Sequence, residues 1–300
     1  MIPFRAPIPS EPRYHRGPPA FRGPPMAEEF RLFLVAIQFY TRIPVTGRLA
    51  TWMGWDPAWL GRATRYFPLA GVTVALAQSA VYVAASLVLP HPVALLLALA
   101  AGLLLTGAFH EDGWADFCDA FGGRVDRTRT LEIMRDSRIG AYGTIGVALL
   151  LLIRFETLAH LDTDWIVVSL VCAAAFSRGC AVLVMASLPY AREEADAKAK
   201  PVAMNVAAGD LLRALVIAVA PTLLLSVWTG DLTPGLIAIS FALLATAALR
   251  RLVRERLGGY TGDCLGAVQQ LSEVAFLLGL LVVLGADPPV AEEASIEEAP

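Results

Sequence analysis

The 300-residue chain is 56% hydrophobic and 17% charged, with mean hydropathy +0.59, whereas soluble domains average about 25% charged residues. That balance excludes an ordinary soluble globular protein and fits a chain solvated by a bilayer. A net charge of −3 leaves no basic surplus to neutralise a phosphate backbone, which excludes nucleic acid as a general partner.

In chain order, residues 1–25 are rich in Pro and Arg and lack the apolar run of a secretory signal. They read as a disordered cytoplasmic extension, with Met26 as an alternative start. Over Glu28–Tyr40, Phe30, Phe33, Leu34 and Ile37 recur at helical spacing beside Glu28, Glu29 and Arg31. This pattern predicts an amphipathic helix that lies on or re-enters the interface, or else packs as a buried helix.

Seven apolar runs then approach the length of about 20 residues that a spanning helix needs. They are Tyr66–Leu89, Pro92–Phe109, Tyr142–Ala159, Trp165–Leu188, Leu211–Trp228, Leu236–Leu249 and Val268–Leu284. The fold class is therefore all-α, a polytopic membrane bundle of about seven spans, with one membrane-embedded domain over 26–286 and a disordered acidic tail over 287–300. No internal repeat is evident, which weighs against a secondary transporter. The four cysteines show no metal-ligand spacing and read as small hydrophobes.

Charge sorts the connections into two sets. Arg124, Arg127, Arg129, Arg135 and Arg138 fall between the second and third runs, Arg192, Lys198 and Lys200 between the fourth and fifth, and Arg250, Arg251, Arg254 and Arg256 between the sixth and seventh. Pro90–His91, His160–Asp164 and Thr229–Pro234 carry no Lys or Arg. Strict alternation of seven spans puts every basic connection on one face, which the positive-inside rule makes cytoplasmic.

The chemistry concentrates in His110–Gly123, where Glu111, Asp112, Asp116 and Asp119 fall within nine residues. On a helix, Asp112, Asp116 and Asp119 share one face. Like charges there repel, and each costs about 2.5–3.5 kcal/mol near the bilayer centre. A divalent cation compensates them directly, and hard oxygen ligands suit Mg²⁺; a solvated acidic face is the plainer alternative. Further on, Arg135 and Arg138 bracket Asp136 and Ser137, a grouping that suits phosphate oxygens or serves as positive-inside anchoring. Asp263 in Gly258–Gly266 is a metal ligand, a substrate contact or a helix N-cap. Gln38, Thr41 and Arg42 close the first helix, and His110 reads as a hydrogen-bond donor behind the acids. Arg178 and Glu273 lie inside spans and call for partners in the bundle interior.

Taken in order, Gln38–Pro44, His110–Gly123, Arg135–Gly140 and Gly259–Asp263 resemble the cobalamin synthase family, the adenosylcobinamide-GDP ribazoletransferases. The resemblance runs from about Phe30 to Leu284. It implies a Mg²⁺-dependent enzyme of the bacterial inner membrane, with its site facing the cytoplasm and self-association left open. That enzyme joins α-ribazole or its 5′-phosphate to adenosylcobinamide-GDP and releases GMP, the final assembly stage of adenosylcobalamin. Asp112, Asp116, Asp119 and Glu111 would then be metal ligands. Arg135, Ser137, Arg138, Asp263, Gln38 and Arg42 would contact substrate, and Asp119 or Asp136 would take the hydroxyl proton. The rivals are a CDP-alcohol phosphatidyltransferase and, less favoured, a transporter.

Overall fold

Apolar runs interrupted by Pro and Gly fold into helices, because in hydrocarbon every backbone amide and carbonyl must be paired within its own segment. A computed structural model of the chain describes residues 25–56, 59–191 and 206–285. The terminal segments read as an extension and a tail, and the connection carrying Arg192, Lys198, Lys200 and Asn205, lie outside the described residues.

The described residues form helices and, apart from two isolated β-bridges, no paired strands. The amino-terminal part holds α1 (Pro25–Tyr40), α2 (Gly47–Met53) and α3 (Trp59–Ala63). A 3-10 turn over Thr64–Tyr66 joins α3 to α4 (Phe67–Ser86), which is followed by α5 (His91–Thr106), α6 (Phe109–Gly122) and α7 (Arg127–Ile133). The remainder is α8 (Ala141–Ala159), α9 (Ile166–Ser187), α10 (Ala208–Thr229), α11 (Thr233–Leu257) and α12 (Gly262–Leu284). Six helical stretches are long and apolar enough to cross a membrane: Trp59–Ser86, Ala141–Ala159, Thr163–Ser187, Ala208–Thr229, Thr233–Leu257 and Gly262–Leu284. Counting the α5–α6 pair as one span makes seven.

Helices α9 and α12 form the centre, buried over most of their length, whereas α8, α10 and α11 have only 28% of their apolar windows buried. Helix α4 packs on α9, and α12 packs on α6, α9 and α11. The first helix is not a surface ribbon. Leu32 and Leu34–Ile37 are buried, and α1 packs against α3 and α4, so the buried-helix alternative holds for its second half.

The second predicted span needs revision. Helix α5 has 16 residues, about 24 Å at 1.5 Å per residue, short of the roughly 30 Å hydrocarbon thickness. The chain then turns 87° into α6. Two consecutive left-handed residues make the elbow, Gly107 (φ 69°) and Ala108 (φ 55°). Glycine adopts that conformation freely, whereas alanine loses about 1–2 kcal/mol in it. The acidic stretch is therefore a separate helix, set across the axis of its predecessor.

Contacts establish which connections share an end. Arg127 donates to the carbonyls of Leu257 (2.9 Å) and Ala191 (2.6 Å), and Arg256 donates to the carbonyl of Gly123 (3.0 Å). The Ala191 amide bonds the Tyr260 carbonyl at 2.8 Å, and the Arg42 amide bonds that of Leu105 at 2.6 Å. At the opposite end, Leu161 pairs with Gly285. The basic connections among the described residues thus gather together, as alternation requires.

An ion cluster closes the same end. Arg65, 2% exposed, meets Glu29 at 2.9 Å and Asp210 at 2.6 Å, and the Tyr66 hydroxyl donates to Glu29 at 2.7 Å. Burial alone would raise the Glu29 carboxyl, but the Tyr66 hydroxyl, Arg65 and Arg213 outweigh it and hold the group below its usual range. The cluster ties the start of α1 to the starts of α4 and α10. Arg65→Ala removes the close partner of buried Asp210 and leaves it the longer contact with Arg213 at 3.9 Å. We expect a loss of about 3–5 kcal/mol, read as a lower thermal midpoint in detergent.

Candidate active site at one end of the bundle

Helix α6 lies between α8 and α12 and touches both through glycine. A Cβ on Gly113 would sit 3.2 Å from the Cα and carbonyl oxygen of Asp263 and 3.4 Å from the Cα of Gly266. A Cβ on Gly266 would in turn sit 3.2 Å from the His110 carbonyl. Backbone thus meets backbone, and the α6 acids are carried to the amino-terminus of α12. On the other flank, side chains on Gly140, Gly143 or Gly146 would overlap Asp119 or Cys118.

Asp112 is exposed and Asp116 half-buried, one helical turn apart on the face that α6 presents at this end. Asp119 has a different task. Its two carboxylate oxygens accept the amides of Gly140 (2.7 Å) and Gly143 (2.8 Å), capping α8 and holding the preceding loop against α6. Glu111, expected with the metal ligands, turns inward instead. It is 7% exposed and accepts a 2.8 Å bond from Gln270 on α12. Four neighbouring carboxylates therefore take three settings: Asp112 and Asp116 on the outer face, Asp119 on the α8 amides and Glu111 on Gln270. Among the described residues, no three His, Cys, Asp or Glu side chains gather closely enough to hold a metal ion by themselves.

The arginine loop reaches the same place. Buried Met134 receives the Thr261 hydroxyl at 3.6 Å, which sets exposed Arg135 near the start of α12. Thr261, rather than Asp263, is the N-cap of α12, accepting the Cys264 amide at 3.3 Å. Asp263 sits half-buried two residues on, its carboxylate 3.5 Å from the Thr261 hydroxyl. Ser137 is exposed. Arg138 donates its Nε to Asp136 at 2.9 Å and a terminal nitrogen at 2.6 Å. That pairing, chiefly the side-chain bond, lowers the Asp136 carboxyl to about 2. Such a carboxylate is a poor proton acceptor near neutral pH. Arg42 lies against Gly107 at the elbow, one turn before Asp112. Gln38, one turn earlier on α1, is half-buried.

Behind α6 lies a buried polar network that the sequence indicated only in part. Glu273 pairs with Arg154 of α8 and, at 3.4 Å, with Arg178 of α9, so both ionisable residues singled out within spans find partners. Gln269 bonds Glu273 and Ser177, the latter at 3.1 Å, and Gln270 donates to Gln269 at 3.0 Å. A cavity of about 20 Å³, water-sized, is lined by His110, Glu111, Arg154, Arg178, Gln270 and Glu273 among others. His110 also stacks on Phe67, ring centroids 5.7 Å apart. Arg154 was not among the sequence candidates. The signal was present, since any ionisable residue well inside an apolar run is expensive enough to demand a partner.

Fold and site together define a multi-pass membrane protein with a carboxylate-and-arginine surface at one end of its bundle. The family model described as CobS, cobalamin-5-phosphate synthase, matches residues 32–281, and the chain belongs to that family. It is 40% identical over 281 residues to the adenosylcobinamide-GDP ribazoletransferase of a Polaromonas species, covering 87% of this chain and 99% of the relative. The protein of that name from Leptothrix cholodnii is 42% identical over 260 residues (85% and 97%), and that from Shewanella amazonensis 39% over 258 residues (85% and 96%). No solved structure matches the chain.

The Asp136–Arg138 pair sets a pH expectation. A depressed folded pKa contributes order that is present above the unfolded value, about 3.9, and is lost as pH falls through about 2. The loop should hold unchanged from pH 8 to 5. We expect the Asp136 carboxyl carbon to titrate near 2 by NMR, and Arg138→Ala to return it toward about 3.9.

Proposed function

We propose that this chain joins α-ribazole or its 5′-phosphate to adenosylcobinamide-GDP, with loss of GMP, and so completes the cobalamin nucleotide loop. Family membership supports the overall reaction. The observation that supports this placement of the chemistry is the Gly113–Asp263 crossing, which brings the α6 acids to the same end as the Arg135 loop and the start of α12.

In this reading a ribazole hydroxyl attacks the corrinoid-side phosphorus of the diphosphate, a P–O bond forms, and the bond to the GMP oxygen breaks. Such transfers depend mainly on positioning and charge stabilisation. Asp112 and Asp116, at i and i+4, form a two-carboxylate seat, the donor set that Mg²⁺ takes when substrate phosphates supply further oxygens. When bound, the ion neutralises diphosphate and leaving-group charge. Arg135 grips phosphate oxygens, and Arg138 joins it once its exposed bond to Asp136 is exchanged for phosphate. Ser137 and Arg42 add donors at the rim, with Gln38 behind them, and Asp263 borders the substrate from α12. Asp119 holds the arginine loop in register, and Asp136 orients Arg138; neither is assigned the proton.

The positive-inside distribution supports a cytoplasmic placement of this end at the bacterial inner membrane, where nucleotide-activated substrates are made. A transporter would need its carboxylates near mid-membrane, whereas these acids collect at a bundle end. We expect Asp116→Asn to insert normally yet lose at least about 100-fold in Mg²⁺-stimulated product formation. Arg135→Ala should raise KM for adenosylcobinamide-GDP about tenfold, one charge-assisted hydrogen bond. Both are read with purified protein, adenosylcobinamide-GDP and ribazole phosphate, with Mg²⁺ supplied or chelated. Product formation by Asp116→Asn at the wild-type rate would refute the metal seat.

A further inference from the structure

We infer that Glu111 is a positioning residue whose buried bond to Gln270 fixes the rotation of α6 and thereby aims Asp112 and Asp116. The inference rests on the active-site reading above. Helix α6 is not oriented by its chain neighbours. It leaves α5 through two left-handed residues and an 87° bend, and no side chain caps its amino-terminus. The contact at Gly113 and Gly266 fixes separation, but two bare backbones offer no side chain to resist rotation or sliding.

Asp119 supplies that resistance at the carboxy-terminal half of α6 through the α8 amides, and Glu111 supplies it at the first turn, next to Asp112. Successive helical residues are about 100° apart, so a fixed direction for Glu111 is a fixed direction for Asp112. The anchor is rigid: Gln270 (2% exposed) bonds Gln269 (0% exposed), which bonds Glu273, itself held by Arg154 and Arg178. The network holds two carboxyl groups and two guanidiniums, and Glu111 joins it through the bond it accepts from Gln270. Its second oxygen, with His110 Nε2 and Gln270 Oε1, is buried without a hydrogen-bond partner among the described residues. Both Glu111 and Gln270 line the one small cavity. A carboxylate retained at that desolvation cost is better explained by geometry it imposes than by packing.

Hydrogen–deuterium exchange of the full-length protein in nanodiscs tests this without substrate or metal, alongside turnover. Glu111→Ala and Gln270→Leu should each speed exchange across Asp112–Asp119 about tenfold, the scale of one lost hydrogen bond, while α10 and α11 stay at wild-type rates. Turnover should fall about tenfold in each. The double variant should be no worse than either single, because both remove one shared bond. Glu111→Gln, which keeps an acceptor for Gln270, should retain slow α6 exchange; a metal-ligand role would instead leave Gln270→Leu fully active. Unchanged α6 exchange in Gln270→Leu, or exchange that rises evenly over all helices, overturns the proposal, and Gln270→Leu decides the matter if Glu111→Ala fails to fold. Asp116→Asn, run in parallel, separates the two ideas: normal turnover there sinks the active-site reading whatever α6 does.

Discussion

Close approach of two backbones, Gly113 of α6 to Asp263 and Gly266 of α12, is the constraint on which the arrangement of the site depends. Helices usually pack with their axes 8–10 Å apart because side chains intervene. Removing the Cβ atoms at the crossing lets α12 present its first turn directly to the acidic helix. A larger side chain at either glycine would push the two helices apart. The separation of Asp112 and Asp116 from the Thr261–Asp263 turn is thus set by the smallest residue available.

The interior explains why a bundle with so little charge keeps four ionisable groups away from water. Arg154, Arg178, Glu111 and Glu273, each 3–7% exposed, line a cavity bounded by six helices. Removing one member would leave an unbalanced charge in a low-dielectric region, at a cost of several kcal/mol. A balanced set instead ties α8 and α9 to α12, and α12 to α6. Gly71 and Gly102 belong to the same design. They leave room for the side chains of Arg178 and Gln78, which would collide with any Cβ at those positions. Polar side chains thus specify contacts that apolar packing alone leaves loose.

Much of this was legible in the sequence, for identifiable reasons. Six of the seven predicted spans and the shared end of the basic connections follow from apolar length and from Arg placement, both properties of the chain that survive folding. Arg178 and Glu273 announced their pairing through the cost of an ionisable group in lipid. The elbow did not announce itself. The apolar run continues through Thr106, Gly107 and Ala108 without proline, and Ala108 is a helix former held left-handed by its surroundings. The division of labour among Glu111, Asp112, Asp116 and Asp119 was equally hidden. Helical periodicity groups side chains by face, but it cannot say that one acid will meet the α8 amides and another a glutamine on α12.

That division bears on how such a site can work. A metal ion enclosed by four carboxylates would be bound fully by protein and would have little left to offer a diphosphate. Two carboxylates on one helical turn bind a hard cation weakly and leave most of its coordination sphere for phosphate oxygens and water. In the proposed reading, affinity for the ion would depend on the nucleotide-activated substrate, and the charge of each would help recruit the other. The acids excluded from the seat still contribute. Asp119 holds the arginine loop against α6 through the α8 amides, and Glu111 bonds Gln270 on the opposite flank. In the proposed reading, capping and anchoring by these two acids would give a two-carboxylate seat the rigidity that its few ligands could not supply.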